Sequence, residues 1–202
     1  LGALVRAALA CHDMAIAWKT PFISCKDSLN NEFAWFDQMK QKHSIAIPSS
    51  LLISALGQMD DVRKCVTMDF KSAGNGVYLI GPTRDELGGS HAAMVLGNKG
   101  GHVPRVDPPL ALRIFQAVHA AISKGLVRAC HDLSEGGLAV AVSEMAFAGG
   151  LGVSIDIAQV CDNQFIDAEV ALFSESNSRF LCEVPEAKQA EFEKQFRDLP
   201  CT

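Results

Sequence analysis

From residue 76 onward, short runs rich in β-branched and aromatic residues take turns with longer segments of helical period. GVYLIG (76–81), VRACHD (127–132), GVSIDI (152–157) and RFLCEV (179–184) read as strands. PPLALRIFQAVHAAISKG (108–125) reads as a helix, with prolines where a helix tolerates them and a glycine where one ends. SEGGLAVAVSEMAFAGG (134–150) reads as another, and Leu138, Ala141, Val142 and Met145 give it a core face at i, i+3, i+4 and i+7. RDELGGSHAAMVL (84–96) is a loop or short helix, and PEAKQAEFEKQFRDLPCT closes the chain with an amphipathic helix. Strands alternating with helices of this length predict an α/β (α+β) fold.

The first third is less regular. Leu1, Leu4, Val5, Ala8, Leu9, His12, Ala15 and Ile16 keep one apolar stripe, so residues 1–18 are expected to be helical. PFIS (21–24) reads as a short buried strand, CKDSLNNEF (25–33) as a polar loop, and 34–47 as a hairpin or an excursion. SSLLISALGQM (49–59) and CVTMDF (65–70) read as further strands. KSAGNG (71–76) is a linker by composition, so the expected division is 1–70 and 71–202. A helix without Met or an N-cap at its start suggests part of a longer protein.

An apolar fraction of 49% with 20% charged residues suits a soluble globular protein with a sizeable core. A net charge of −5 argues against nucleic-acid or anionic-membrane partners, and no apolar run approaches transmembrane length. The seven scattered cysteines form no C-x-x-C pair, which suits buried reduced thiols in a cytoplasmic protein.

Chemistry-bearing residues crowd the joint of ACHDLSEGGLAVAVSEMAFAGG (129–150). Ser134 suits a helix N-cap. Gly136 and Gly137, each costing about 1 kcal/mol in a helix, let something approach the backbone closely. A helix N-terminus attracts anions, but Asp132 beside it repels phosphate unless a cation such as Mg²⁺ lies between them. A capped helix with its glycines packed on a neighbour accounts for the same residues. In CKDSLNNEF, Lys26, Asp27 and Ser28 suit either a phosphate- or metal-binding loop or a solvated turn. Without an assigned base, Cys25 is expected to be a small buried residue. GPTRDELGGSH (81–91) is open between ligand loop and turn, and Glu175, Ser176 and Asn177 in LFSESNSRF (172–180) either grip a substrate or cap a turn. His12, His43, His102 and His119 have no ligand spacing. The common nucleotide-binding and hydrolase motifs are absent from the sequence.

In this order PFISCKDSLNNEF, TRDELGGSH, CHDLSEGGLAVAVSEMAFAGG and LFSESNSRF resemble the second half of the phosphoribosylformylglycinamidine (FGAM) synthase family, in the aminoimidazole-ribonucleotide (AIR) synthase-like superfamily. The resemblance implies the tail of an N-terminal-type domain in residues 1–70 and a C-terminal-type domain in 71–202. It further implies an ATP-dependent conversion of formylglycinamide ribonucleotide to its amidine in purine biosynthesis. ATP activates the formamide oxygen as a phosphate ester, and ammonia from a glutaminase domain or subunit displaces phosphate. The family's catalytic histidine and most substrate contacts are expected in a missing first half, so no catalytic residue is assigned here.

Family members reading G-N-x-S at the first loop contact ATP, Mg²⁺ and substrate there, which implies Cys25 and Lys26 toward ATP and Ser28 toward the substrate. The sequence departs twice from that pattern. Cysteine serves in place of glycine only through its backbone, and lysine cannot ligate a metal, so Asp27 becomes the metal candidate. At the second joint the resemblance implies Asp132 on Mg²⁺ and Ser134 on phosphate. In the long family form that nucleotide is auxiliary, which leaves a non-catalytic structural half as an alternative. Another ATP-using superfamily member, of the selenophosphate synthetase or thiamine-phosphate kinase type, is the other.

Overall fold

The computed structural model describes residues 2–28 and 30–202. Leu1, first in the expected stripe, and Leu29, inside the polar loop, lie outside the described residues. The chain divides into two compact units, Leu1–Met59 and Asp60–Thr202.

In the first unit, helix α1 (Gly2–Trp18) forms as its periodicity predicts, but none of its described residues is buried. The choice left open at 34–47 resolves as a hairpin. Strands β1 (Glu32–Phe36) and β2 (Lys42–Ala46) pair antiparallel, with Glu32 opposite Ala46 and Phe36 opposite Lys42. Asp37 organises the turn, accepting from the Met39 and Gln41 amides and meeting His43 Nε2 at 2.9 Å. Two strand expectations fail here. PFIS and 49–59 have no regular structure and are exposed, Ile23 by 83% and Leu52 by 93%. A run of apolar side chains becomes a strand only when a neighbour takes its backbone groups, and β1 and β2 pair with each other instead.

The second unit is built on an antiparallel sheet of order β3-β5-β4, comprising β3 (Gly76–Ile80), β4 (Ala129–Asp132) and β5 (Phe180–Val184). β5 lies between two strands that run parallel to each other. Outside them, Thr67 bridges to Ala129 and Cys201 bridges to Ile80, so each edge gains a short extra pairing. CVTMDF therefore contributes one bridge rather than a strand.

Period-2 alternation sends side chains to two faces. Leu79, Ala129 and Leu181 face a core completed by Leu138, Ala141, Val142 and Met145 of α4 (Gly137–Gly149), with Val160 of α5 (Ala158–Gln164) and Ala171 of α6 (Ala168–Phe173). Ile80, Cys182 and Val184 face Ile114, Val118 and Ala121 of α3 (Pro108–Ser123), with Phe192 and Phe196 of α7 (Gln189–Phe196). The result is a helix–sheet–helix sandwich, an α/β arrangement. α3 starts as its sequence predicts: Asp107 accepts from the Leu110 amide ahead of two prolines. GVSIDI is the remaining correction, because residues 151–157 are irregular and lead into α5.

Candidate functional site

β4 ends at Asp132 and α4 begins only at Gly137, two residues after the Glu135 start that a Ser134 N-cap would give. The delay has a backbone cause. Gly136 and Gly137 both take positive φ, 78° and 62°, and cannot extend a right-handed helix toward the N-terminus. A Cβ on Gly137 would lie 2.3 Å from the Ser174 carbonyl oxygen. The glycine therefore lets α4 start against the chain that leaves α6 (Ala168–Phe173).

Ser134 is not the N-cap. Gly136 holds that position without a side-chain bond, and the Ser134 hydroxyl donates to Asp132 Oδ2. That bond, working against burial, keeps the Asp132 carboxyl below the usual carboxylate range, and His131 pulls it the same way. The Asp132 side chain stays 62% exposed, so the site presents an ionised carboxylate to solvent. His131 lies between two acids, with Nδ1 at 3.3 Å from Asp132 Oδ1 and Nε2 at 2.8 Å from Glu144 Oε2.

The anion at the α4 N-terminus is Glu175. Its Oε1 accepts from the Gly136 amide at 2.8 Å and from the His91 amide of α2 (His91–Leu96), also at 2.8 Å. One carboxylate thus serves two helix starts, where the macrodipole favours negative charge. Of Glu175, Ser176 and Asn177, left open between grip and cap, Glu175 caps these two helix starts, while Asn177 lines a cavity at the joint.

Behind it, Ser174 Oγ donates to the Arg84 carbonyl at 2.7 Å, and the Arg84 amide donates to Ser176 Oγ at 3.0 Å. Arg179, 1% exposed, lies beneath this zipper. Its guanidinium donates to the carbonyls of Ser174 and Ser176 and to Thr83 Oγ1. Burial pushes its pKa down to about 10, while the charges of Glu86 and Glu175 oppose that shift. Sequence reasoning missed Arg179, because an arginine opening a strand carries no local mark of burial. In the GPTRDELGGSH loop, a Cβ on Gly88 would lie 2.7 Å from the Gly101 and His102 carbonyl oxygens, so Gly88 serves close backbone packing, whereas Gly89 has open space around it and takes a φ of 76°.

Two cavities of about 430 Å³ each flank the joint and share Asp132, Ser134 and Glu135. One is also lined by Phe115, Asn177 and Phe180, the other by His91, His131 and Glu144. Among the described residues, no group of three or more His, Cys, Asp or Glu could enclose a metal ion. The donor set fits the way Mg²⁺ is usually held, by one or two carboxylates with the remaining positions left to phosphate and water.

Cys25, Lys26, Asp27 and Ser28 belong to the other unit and lie in irregular chain. Lys26 Nζ donates to the Asp27 carbonyl and, at 3.1 Å, to Ser28 Oγ. Cys25 is exposed, as is Cys65. The expectation of buried thiols fails for both, and for Cys25 the cause is the absence of the expected buried strand before it.

The family described as "AIR synthase related protein, C-terminal domain" matches residues 72–202. "Phosphoribosylformylglycinamidine synthase subunit PurL" of Alkaliphilus metalliredigens is 38% identical over 173 residues, covering 85% of this chain and 21% of the relative. The subunit of the same name from Methanothrix thermoacetophila is 39% identical over 148 residues, 73% of this chain and 19% of the relative. The chain thus spans about a fifth of the length of the curated relatives it matches. Among solved structures, Thermotoga maritima PurL complexed with FGAR superposes at a TM-score of 0.60 and 22% identity, over 70% of this chain and 25% of that one. The ATP complex of the same protein gives 0.52 and 19%, over 70% and 23%. These likenesses carry the fold. No helix among the described residues is long and apolar enough to cross a membrane. The chain belongs to the AIR synthase related family, with residues 72–202 forming its C-terminal domain.

Proposed function

We propose that this chain is part of an ATP-dependent FGAM synthase and that its β4–α4 joint binds a magnesium-bound nucleotide. The observation that carries the second claim is the pairing of an exposed, ionised Asp132 with Ser134 between two cavities at a strand end. Asp132 serves as the magnesium ligand. The Ser134 hydroxyl turns from Asp132 to a phosphate oxygen when the nucleotide arrives. Bound there, Mg²⁺ supplies positive charge to the phosphate oxygens.

The surrounding residues explain why a cation is needed. Glu175 already uses the Gly136 amide, Glu135 and Glu144 line the walls, and Arg179 is spent internally. A bare phosphate would meet uncompensated negative charge. The joint therefore takes its nucleotide through a cation and a hydroxyl rather than through the helix start.

Residues 25–28 are proposed to serve ATP and the amide substrate: Cys25 through its backbone, Lys26 toward phosphate, Asp27 toward Mg²⁺ and Ser28 toward formylglycinamide ribonucleotide. Support comes from their exposure and from the bond linking Lys26 to Ser28. The PurL relatives carry the synthase name, and the Thermotoga protein was solved with FGAR and with ATP. On this reading the ammonia source and the rest of the active site lie in other parts of the synthase.

A nucleotide that only braces the fold is the second reading. It is favoured by the hydrogen-bonded wall in which Arg179 holds the Ser174 and Ser176 carbonyls and Glu175 holds two helix starts. Labelled ATP exchange in the full synthase separates the two. A nucleotide that exchanges and is hydrolysed with formylglycinamide ribonucleotide and ammonia supports a catalytic joint, whereas one retained through dialysis and never hydrolysed supports the brace. A synthase that takes up no nucleotide at this joint overturns both.

A further inference from the structure

Two thiols that the proposed chemistry does not use face each other across the sheet. Cys130 of β4 and Cys182 of β5 are directly opposed in the antiparallel register. The Cys130 amide donates outward to the Thr67 carbonyl rather than across to β5, which marks this as a non-hydrogen-bonded pair. In such pairs the Cα atoms approach to about 4.5 Å and the side chains are closest. That separation lies at the near end of the range of about 4.4–6.8 Å that disulfides span. The two sulfurs are already 3.8 Å apart on the same face of the sheet.

The other cysteines are less well placed. Cys182 has Tyr78 as its partner on β3 and Cys130 as its partner on β4. Cys201 shares the same core but pairs with Ile80, on the far side of β3. Cys161 belongs to the opposite core, while Cys11, Cys25 and Cys65 lie outside both cores. Access is also asymmetric, since Cys182 is fully buried and Cys130 only partly so. A small oxidant therefore meets Cys130 first.

We propose that Cys130 and Cys182 are a modification site, forming a reversible intrachain disulfide when the protein meets a peroxide. Cys130 gives up its proton and the thiolate sulfur attacks one peroxide oxygen; the O–O bond breaks, a sulfenic acid forms, and the departing hydroxide takes up the Cys130 proton as one water. The Cys182 sulfur then attacks the sulfenic sulfur. Hydroxide leaves and takes up the Cys182 proton as a second water. The two thiols supply two electrons and hydrogen peroxide accepts them. The bond would tie β4, two residues before Asp132, to the strand that follows the Glu175–Arg179 segment.

The test treats the full chain, in a Cys25→Ser, Cys65→Ser background that limits cross-linking between molecules, with hydrogen peroxide. Peptides are then mapped without reduction after blocking free thiols in denaturant. The expected result is a cross-linked peptide joining Cys130 to Cys182, lost on treatment with dithiothreitol. Cys130→Ser should leave Cys182 as a free thiol, and Cys182→Ala should leave Cys130 overoxidised or capped. Should either variant fail to fold, mapping of the background protein decides alone. Cys182 recovered as a free thiol while Cys130 is sulfinic, or either cysteine linked to Cys201, overturns the proposal.

Discussion

Replacing Gly137 with alanine tests the packing that sets the start of α4. Two costs add. An L-residue held at φ 62° loses about 1–2 kcal/mol through its left-handed conformation. Its Cβ would also lie 2.3 Å from the Ser174 carbonyl oxygen and 3.0 Å from that of Leu172, both backbone atoms. Overpacking of that kind costs typically about 1–3 kcal/mol, so the total is about 2–5 kcal/mol. Gly150→Ala supplies the control, because Gly150 has φ 65° but nothing within 4 Å of its Cβ position. It should lose only the conformational part. Urea unfolding followed by circular dichroism, with the two variants compared at equal slope, measures the difference. Gly137→Ala should be less stable than Gly150→Ala by about 1–3 kcal/mol. Equal losses would refute the close approach of α4 to the Ser174 carbonyl.

Ser134→Ala should change stability by less than about 0.5 kcal/mol, because Ser134 caps nothing in this fold. It should raise the pKa of Asp132, whose depression owes most to the Ser134 hydroxyl. The folded carboxyl titrates below its ordinary value, so its linked stabilisation is present above the unfolded pKa and lost as pH falls through the folded one. NMR titration of the Asp132 carboxyl in both proteins checks this, and an unchanged or lower value contradicts it. Glu183→Gln should cost about 1–3 kcal/mol. The buried carboxylate accepts from the Lys71 and Ser72 amides and the Asn75 side chain, and hydrogen exchange at residues 71–76 should speed up accordingly.

The second unit was largely legible in the sequence because its signals are local. Period-2 runs gave β3, β4 and β5, and the i, i+3, i+4, i+7 face of α4 is the face that is buried. What failed was context. PFIS and 49–59 carry strand composition, but strand formation depends on a partner that no short window reveals. Ser134 looked like a cap because the rule places a hydroxyl before the first periodic residue. Two glycines at positive φ moved the helix start past it. Glu175 could be singled out but not placed, since its amide partners lie 39 and 84 residues away in sequence.

The β4–α4 joint is tested most directly by calorimetric titration of ADP into the wild type and Asp132→Asn, each with Mg²⁺ and with EDTA. Asparagine keeps the shape and removes the charge. In Mg²⁺ the variant should bind at least about tenfold more weakly, near 1.4 kcal/mol, and in EDTA the two proteins should bind alike. Equal affinities under both conditions would mean that Asp132 holds no metal and that the joint is only the start of a well-packed helix.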